Sequence, residues 1–301
     1  MIELKSIKAD HKVLEIIKRC RRTRIDSIFE NALNILFGND LITIIDKSWG
    51  YIPLGITASI KEVIGFNVMN IKPDSKIKLS PEKIIIDNKL KICLTDCIWL
   101  NNKIDRKNID RSLVRNNLDV IKGYIENNKT DYGLVSIIDN IDSIIVGIID
   151  NNTGTDPLKA KVIEVLGQFF KQFKKNNIRS AVKKLECIVG LGQGTTPSGD
   201  DIILGIIVSL YYIEPIWVEE VKGLRDRIKG KTTRISEKYL LQAIEGNISE
   251  SLTNYMEELL YGKSRDKLLR SVADLIKVGA SSGKEIILGS ILAVEFYLKF
   301  K

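Results

Sequence analysis

The chain has 301 residues, 44% of them apolar and 28% charged, which excludes a mainly disordered protein and leaves room for one large domain or two. Six prolines and 21 glycines exclude a collagen-like or low-complexity chain. The net charge of +8, from 46 Lys and Arg against 38 Asp and Glu, is spread along the sequence and does not call for nucleic acid as a partner.

The N-terminal stretch, MIELKSIKAD, lacks the apolar core of a secretory signal. Arg19, Arg21, Arg22 and Arg24 then cluster. No aromatic side chains interleave with them, so they read as a solvated helix face. Residues 1 to about 105 read as β-rich after a helical start. The early helix is placed at Ile25–Phe37, where Ile25, Ile28, Phe29, Ala32, Leu33 and Leu36 follow a helical period up to Gly38-Asn39-Asp40. Short apolar runs follow at Leu41–Ile45, Ile52–Ile60, Ile77–Leu79, Ile84–Ile86 and Leu90–Leu94. The last two read as a hairpin across Asp87-Asn88-Lys89.

From about residue 106 the pattern is helical. Helices are expected at Asp110–Asn127, Tyr132–Ile141, Pro157–Lys175, Ile178–Val189, Gly199–Ile213, Ile216–Lys229, Glu237–Ile244, Glu250–Tyr261, Arg265–Val278 and Lys284–Phe300. Strands and helices do not alternate, which argues against a doubly wound nucleotide fold. The predicted class is α+β: a β-rich N-terminal domain over 1–105 with an early helix, then a larger all-helical domain over 106–301. No apolar run is long enough to span a bilayer, so a cytoplasmic protein with no membrane partner is expected. Cys20, Cys93, Cys97 and Cys187 form no CxxC pair and His11 is the lone histidine, so a zinc site is not expected. The cysteines read as reduced and mostly buried.

One internal echo stands out. Pro197-Ser198-Gly199-Asp200-Asp201-Ile202-Ile203-Leu204-Gly205-Ile206 returns 84 residues later as Ser281-Ser282-Gly283-Lys284-Glu285-Ile286-Ile287-Leu288-Gly289-Ser290, identical at six of ten positions. It reads as two copies of a loop-to-helix unit packed side by side.

The first copy carries the densest chemistry. Gly190, Gly192 and Gly194 alternate, followed by Thr195, Thr196, Ser198, Gly199, Asp200 and Asp201. Glycines let a ligand approach the main chain, and a helix start offers N–H groups to a carboxylate or phosphate. A structural account explains part of this, because Ser198 with Asp201 and Ser282 with Glu285 both fit a capping box. Asp200 and Asp201 oppose a bare anion. Either a divalent cation such as magnesium bridges them to the ligand, or the acids take amide N–H groups while backbone N–H groups hold the anion. A second polar stretch, Lys231-Thr232-Thr233-Arg234-Ile235-Ser236, reads as a helix cap, with Arg234 suited to bidentate anion recognition. No P-loop and no GxSxG motif is present.

Gly192-Gln193-Gly194-Thr195-Thr196-Pro197-Ser198-Gly199-Asp200-Asp201 resembles the G-x-G-L-T-P-S-G-D-D signature of a bacterial family that includes the AllH-type subunit of oxamate carbamoyltransferase. Arg24–Phe29 is similar to that family's H-S-x-F element, Pro53–Ile56 to its P-x-G-I element, Thr232–Ser236 to its T-T-x-I-S element and Gly279–Gly289 to its late glycine element. Asp26 stands where the family commonly has His, and Thr195 where it has Leu. The resemblance implies a transferase subunit working with partner subunits in allantoin breakdown, converting oxalurate and phosphate to oxamate and carbamoyl phosphate. Asp200, Asp201 and Arg234 are then the expected catalytic residues. Gly192, Gly194, Thr195, Thr196, Ser198, Gly199, Thr232, Thr233, Ser282 and Gly283 are the expected substrate contacts. The competing class is a scaffold subunit that binds a small carboxylate without chemistry of its own.

Overall fold

The computed structural model describes residues 1–20, 22–60, 65–102, 104–128, 134–148 and 156–301. Arg21 of the basic cluster, Lys103 in the expected boundary and Tyr132 at an expected helix start lie outside the described residues. The chain forms two compact units, Met1–Lys103 with Asn247–Ser251, and Ile104–Gly246 with Leu252–Lys301.

The first unit holds β1 (Ile2–Asp10), α1 (His11–Arg19), β2 (Thr23–Ile28), β3 (Ala32–Phe37), β4 (Asp40–Asp46), β5 (Gly55–Ala58), β6 (Ile77–Ser80), β7 (Lys83–Ile86), β8 (Leu90–Cys93) and β9 (Ile98–Leu100). They make one mixed sheet in the order β2-β3-β4-β5-β1-β8-β7-β6, with β9 also on β1. The centre is β1, which changes partners along its length. Ile2–Lys5 runs parallel to β8, and Lys8–Asp10 runs parallel to β9. The other side of β1 pairs antiparallel with β5, with an irregularity between Ser6 and Lys8 that re-aims the strand. Leu4, Ile35, Ile42, Ile44, Ile56, Ile84 and Ile92 build the core, and α1 adds Val13, Ile16 and Ile17. The expected hairpin is present as β7 and β8.

The expected helix at Ile25–Phe37 is instead the antiparallel pair β2 and β3. Its apolar spacing fits a helix, but β3 is a central strand between β2 and β4, buried at five of its six residues. A strand covered on both faces loses the two-residue alternation that identifies strands. Its turn, closed by the Phe29 N–H donating to the Ala32 carbonyl at 2.8 Å, contains Glu30-Asn31 and no glycine. The early helix lies at α1, capped by Asp10, whose side chain accepts from the Lys12 N–H.

The second unit is helical: α2 (Arg111–Asn127), α3 (Ile141–Val146), α4 (Pro157–Lys174), α5 (Ile178–Leu185), α6 (Ser198–Ile213), α7 (Val218–Lys222), α8 (Arg225–Ile228), α9 (Arg234–Ile244), α10 (Glu250–Tyr261), α11 (Arg265–Ile276) and α12 (Ser282–Phe300). The first two residues of α10 belong to the β-rich unit. Ile216–Lys229 is not one helix but a 3-10 turn, α7 and α8, interrupted at Gly223-Leu224. The stretch expected as Tyr132–Ile141 is a 3-10 segment at Val135–Asn140 that leads into α3.

The two echo copies supply α6 and α12, which pack directly on each other. A Cβ at Gly205 would lie 2.1 Å from the Ile286 carbonyl oxygen, and one at Gly289 would lie 2.2 Å from the Ile202 carbonyl oxygen. These contacts are reciprocal, because Ile286 and Gly289 occupy the positions in the second copy that Ile202 and Gly205 occupy in the first. Both helices are buried on almost every face, which requires their near-continuous Ile and Leu content. Of the cysteines, only Cys97 is buried, and Cys187 is exposed. Among the described residues no helix is long and apolar enough to cross a membrane.

Candidate functional site

The site lies where the two copies meet. α6 starts at Ser198 after Pro197, which takes the N-cap position without a side-chain cap bond. The capping box expected at Ser198 is therefore not formed. In the second copy, Ser281 and not Ser282 holds the N-cap position, and its hydroxyl donates to Glu285 Oε2 at 3.1 Å. Ser282 is released for another partner. Its hydroxyl lies 2.7 Å from that of Thr196, joining the two loops. Gly192 has φ +122°, and a Cβ there would sit 2.7 Å from the Ser198 N, so both conformation and space require glycine. Gly199 and Gly283 are packing glycines, each with a carbonyl oxygen 2.0 Å from where a Cβ would be.

Asp200 is buried and fully engaged. Its Oδ1 accepts from the Gly190 N–H at 2.8 Å. Its Oδ2 accepts from the Ser236 hydroxyl at 2.6 Å and from the Thr232 hydroxyl. Thr232 and Ser236 are four apart, flanking and opening α9, so both hydroxyls meet one carboxylate oxygen. Thr233 caps α9, accepting from the Ser236 N–H at 3.1 Å, and donates to the Thr195 carbonyl at 2.5 Å. The two threonines thereby fasten the glycine loop to α9. Arg234 stands on the exposed start of that helix.

Asp201 is different. It is 3% exposed, and its Oδ2 has no hydrogen-bond partner among the described residues. Burial pushes its carboxyl well above the usual range, and the nearby Glu285 and Asp200 push the same way. The Ser282 and Thr196 hydroxyls offset part of this. Glu285, in the equivalent position of the second copy, is satisfied at both oxygens by the Leu134 N–H at 3.0 Å and the Ser281 hydroxyl at 3.1 Å.

Three of the helix-start donors anticipated from sequence are already used. The Gly199 N–H donates to the Leu191 carbonyl at 2.8 Å, and those of Asp200 and Asp201 donate to the Pro197 carbonyl at 2.9 and 3.2 Å. The second copy spends those of Gly283 and Glu285 in the same way. In the loop itself, the exposed Gln193, Gly194 and Thr195 have N–H groups that make no hydrogen bond among the described residues. Among the described residues no three His, Cys, Asp or Glu side chains are placed to hold a metal ion together. Two members of the cluster were absent from the expected site: Glu285, which the echo aligns with Asp201, and Ser236, which lies one helical turn after Thr232.

In class, this is a helical protein with a duplicated loop-to-helix unit enclosing three acids, joined to a β-rich N-terminal unit. Residues 188–294 match the family model of the oxamate carbamoyltransferase subunit AllH, residues 5–99 match that of the AllH family N-terminal domain, and the chain belongs to this family. The family name is that of an enzyme subunit, which implies a multi-subunit assembly. No solved structure matches the chain.

Proposed function

We propose that this chain is the subunit of a carbamoyltransferase that receives a small carboxylate substrate at the Gly192–Thr196 loop. The reaction is phosphorolysis of oxalurate. A phosphate oxygen attacks the carbamoyl carbon, the bond from that carbon to the oxamate nitrogen breaks, and the nitrogen takes a proton. Carbamoyl phosphate and oxamate result. Such a transfer needs positioned donors for charge developing on the carbonyl oxygen. The observation that carries the reading is the meeting of Thr196 and Ser282, one hydroxyl from each copy, over buried acids and beside the exposed loop N–H groups. Arg234 suits the substrate carboxylate. Asp200 acts as a positioning residue, because its oxygens are committed to the loop and to α9. No divalent cation enters this reading, since Asp200 and Glu285 already spend their oxygens on protein donors.

The test is thermal unfolding of the chain with its co-purifying subunits, with oxalurate, oxamate, carbamoyl phosphate and phosphate. A ligand at about 100 times its dissociation constant adds about 2.7 kcal/mol of stability. Arg234→Ala and Thr196→Val are each expected to weaken oxamate binding roughly tenfold or more, the worth of one charge-assisted hydrogen bond. Unchanged affinity in both variants would place the ligand elsewhere. No binding by the assembled complex would leave the chain a scaffold.

A further inference from the structure

Of the three buried acids at the two helix starts, two have a donor at both oxygens and one does not. Asp200 takes three donors, from Gly190, Thr232 and Ser236. Glu285 takes two, from Leu134 and Ser281. Asp201 is buried, is acted on by both of these acids, and has its Oδ2 unpartnered. A buried carboxylate with one oxygen unpartnered and two acids acting on it is poorly able to carry charge, although the Ser282 and Thr196 hydroxyls offset part of that cost. The charged groups acting on it most are both acids, Asp200 on its own helix and Glu285 on α12. From α9 come the Thr232 and Ser236 hydroxyls, which are given to Asp200. The buried cation of α9, Lys238, has its ammonium over the Tyr239 ring, and it lies two positions from Ser236, on a different helix face.

The duplication sharpens the contrast. The second copy satisfies both oxygens of its acid with its own serine and a backbone N–H, whereas the first leaves Oδ2 of its acid without a partner beneath the Thr196–Ser282 bridge. We propose that Asp201 is held as an uncharged carboxylic acid and sets the ligand class of the loop: its neutrality admits an anionic ligand above Thr196, and its ionisation expels one. This rests on the loop being the ligand site. Asp201 acts through charge and through the hydroxyls over it, and is a specificity-determining residue without ligand contact.

Two measurements test it. Difference infrared spectroscopy of wild type against Asp201→Asn at neutral pH should show the carbonyl stretch of a protonated carboxylic acid in the wild type alone. A carboxylate band in its place overturns the proposal, whatever the ligand does. Oxamate, whose own carboxyl stays ionised throughout, is then titrated into the subunit assembly from mildly acidic to alkaline pH. The wild type should lose affinity as Asp201 ionises, toward tenfold per pH unit, while Asp201→Asn binds with no such slope. Binding by the wild type that is flat with pH overturns the proposal and leaves the loop site standing. Absence of oxamate binding at every pH overturns both. If Asp201→Asn does not fold, the wild-type pH series and its infrared spectrum as a function of pH still decide.

Discussion

Asp201 stores free energy that pH releases. Its folded carboxyl is raised above the unfolded value of 3.8, mainly by burial, so the folded chain binds this proton more tightly than the unfolded chain does. The contribution is full below about 3.8 and declines as pH rises toward the folded value, by up to about 1.4 kcal/mol per pH unit. Glu186 runs the opposite way. Lys231 and then Arg227 hold its carboxyl below 4.5, so its contribution is present above that value and lost as pH falls. The two overlap in any single denaturation profile. Urea unfolding of wild type and Asp201→Asn across pH separates them: the difference between the two curves should fall steadily with rising pH, with Glu186 cancelling. A constant difference would show Asp201 ionised in the folded chain.

At the scale of elements, α6 and α12 depend on glycine for a reason unrelated to backbone freedom. Replacing a helix-interior glycine by alanine normally gains about 1 kcal/mol. Gly123 in α2 has nothing within 4 Å of an added Cβ, so Gly123→Ala should follow that rule. At Gly205 and Gly289 the added carbon meets a carbonyl oxygen at 2.1 and 2.2 Å, so the helices must separate. Each substitution should then cost about 2–3 kcal/mol net, the scale of overpacking. Because the contacts are reciprocal, one separation relieves both, and the double variant should cost clearly less than the two singles summed. Denaturant midpoints of the four proteins check sign and coupling together. This packing was legible in the repeat of Ile-Ile-Leu-Gly, because a shared glycine is not a by-product of an isoleucine-rich chain. β3 was not, since a strand buried on both faces carries no alternation to read. The site was legible as a set of residues but not as a division of labour. Spacing alone cannot show that Asp200 is saturated and Asp201 is not, because Gly190, Thr232 and Ser236 reach Asp200 from 10 to 36 positions away.

At the scale of the molecule, five residues late in the chain complete the β-rich unit. Asn247–Ser251 belongs to it although the flanking residues belong to the helical unit. Asn247 donates to Asp10 Oδ2 at 2.9 Å, an oxygen that also takes the Leu54 N–H at 2.8 Å, and accepts from the Tyr51 hydroxyl at 2.7 Å. Glu250 takes the Tyr51 N–H at 2.9 Å and pairs with Lys8 at 2.8 Å, while its own N–H donates to the Tyr51 carbonyl at 2.8 Å. No period or composition shift marks this segment, because what it does is meet polar groups of β1 and of Tyr51. Asn247→Ala leaves the buried Tyr51 hydroxyl without its acceptor and Asp10 with one donor fewer, a loss of about 2–3 kcal/mol. Hydrogen exchange should localise it. Amides of β1, β4 and β5 should lose protection by that amount, while those of α6 and α12 keep theirs, since the residues Asn247 bonds lie in the β-rich unit. Equal loss in both sets would mean that the segment carries global stability and not that of the β-rich unit. No loss in either would mean that water replaces Asn247 at no cost.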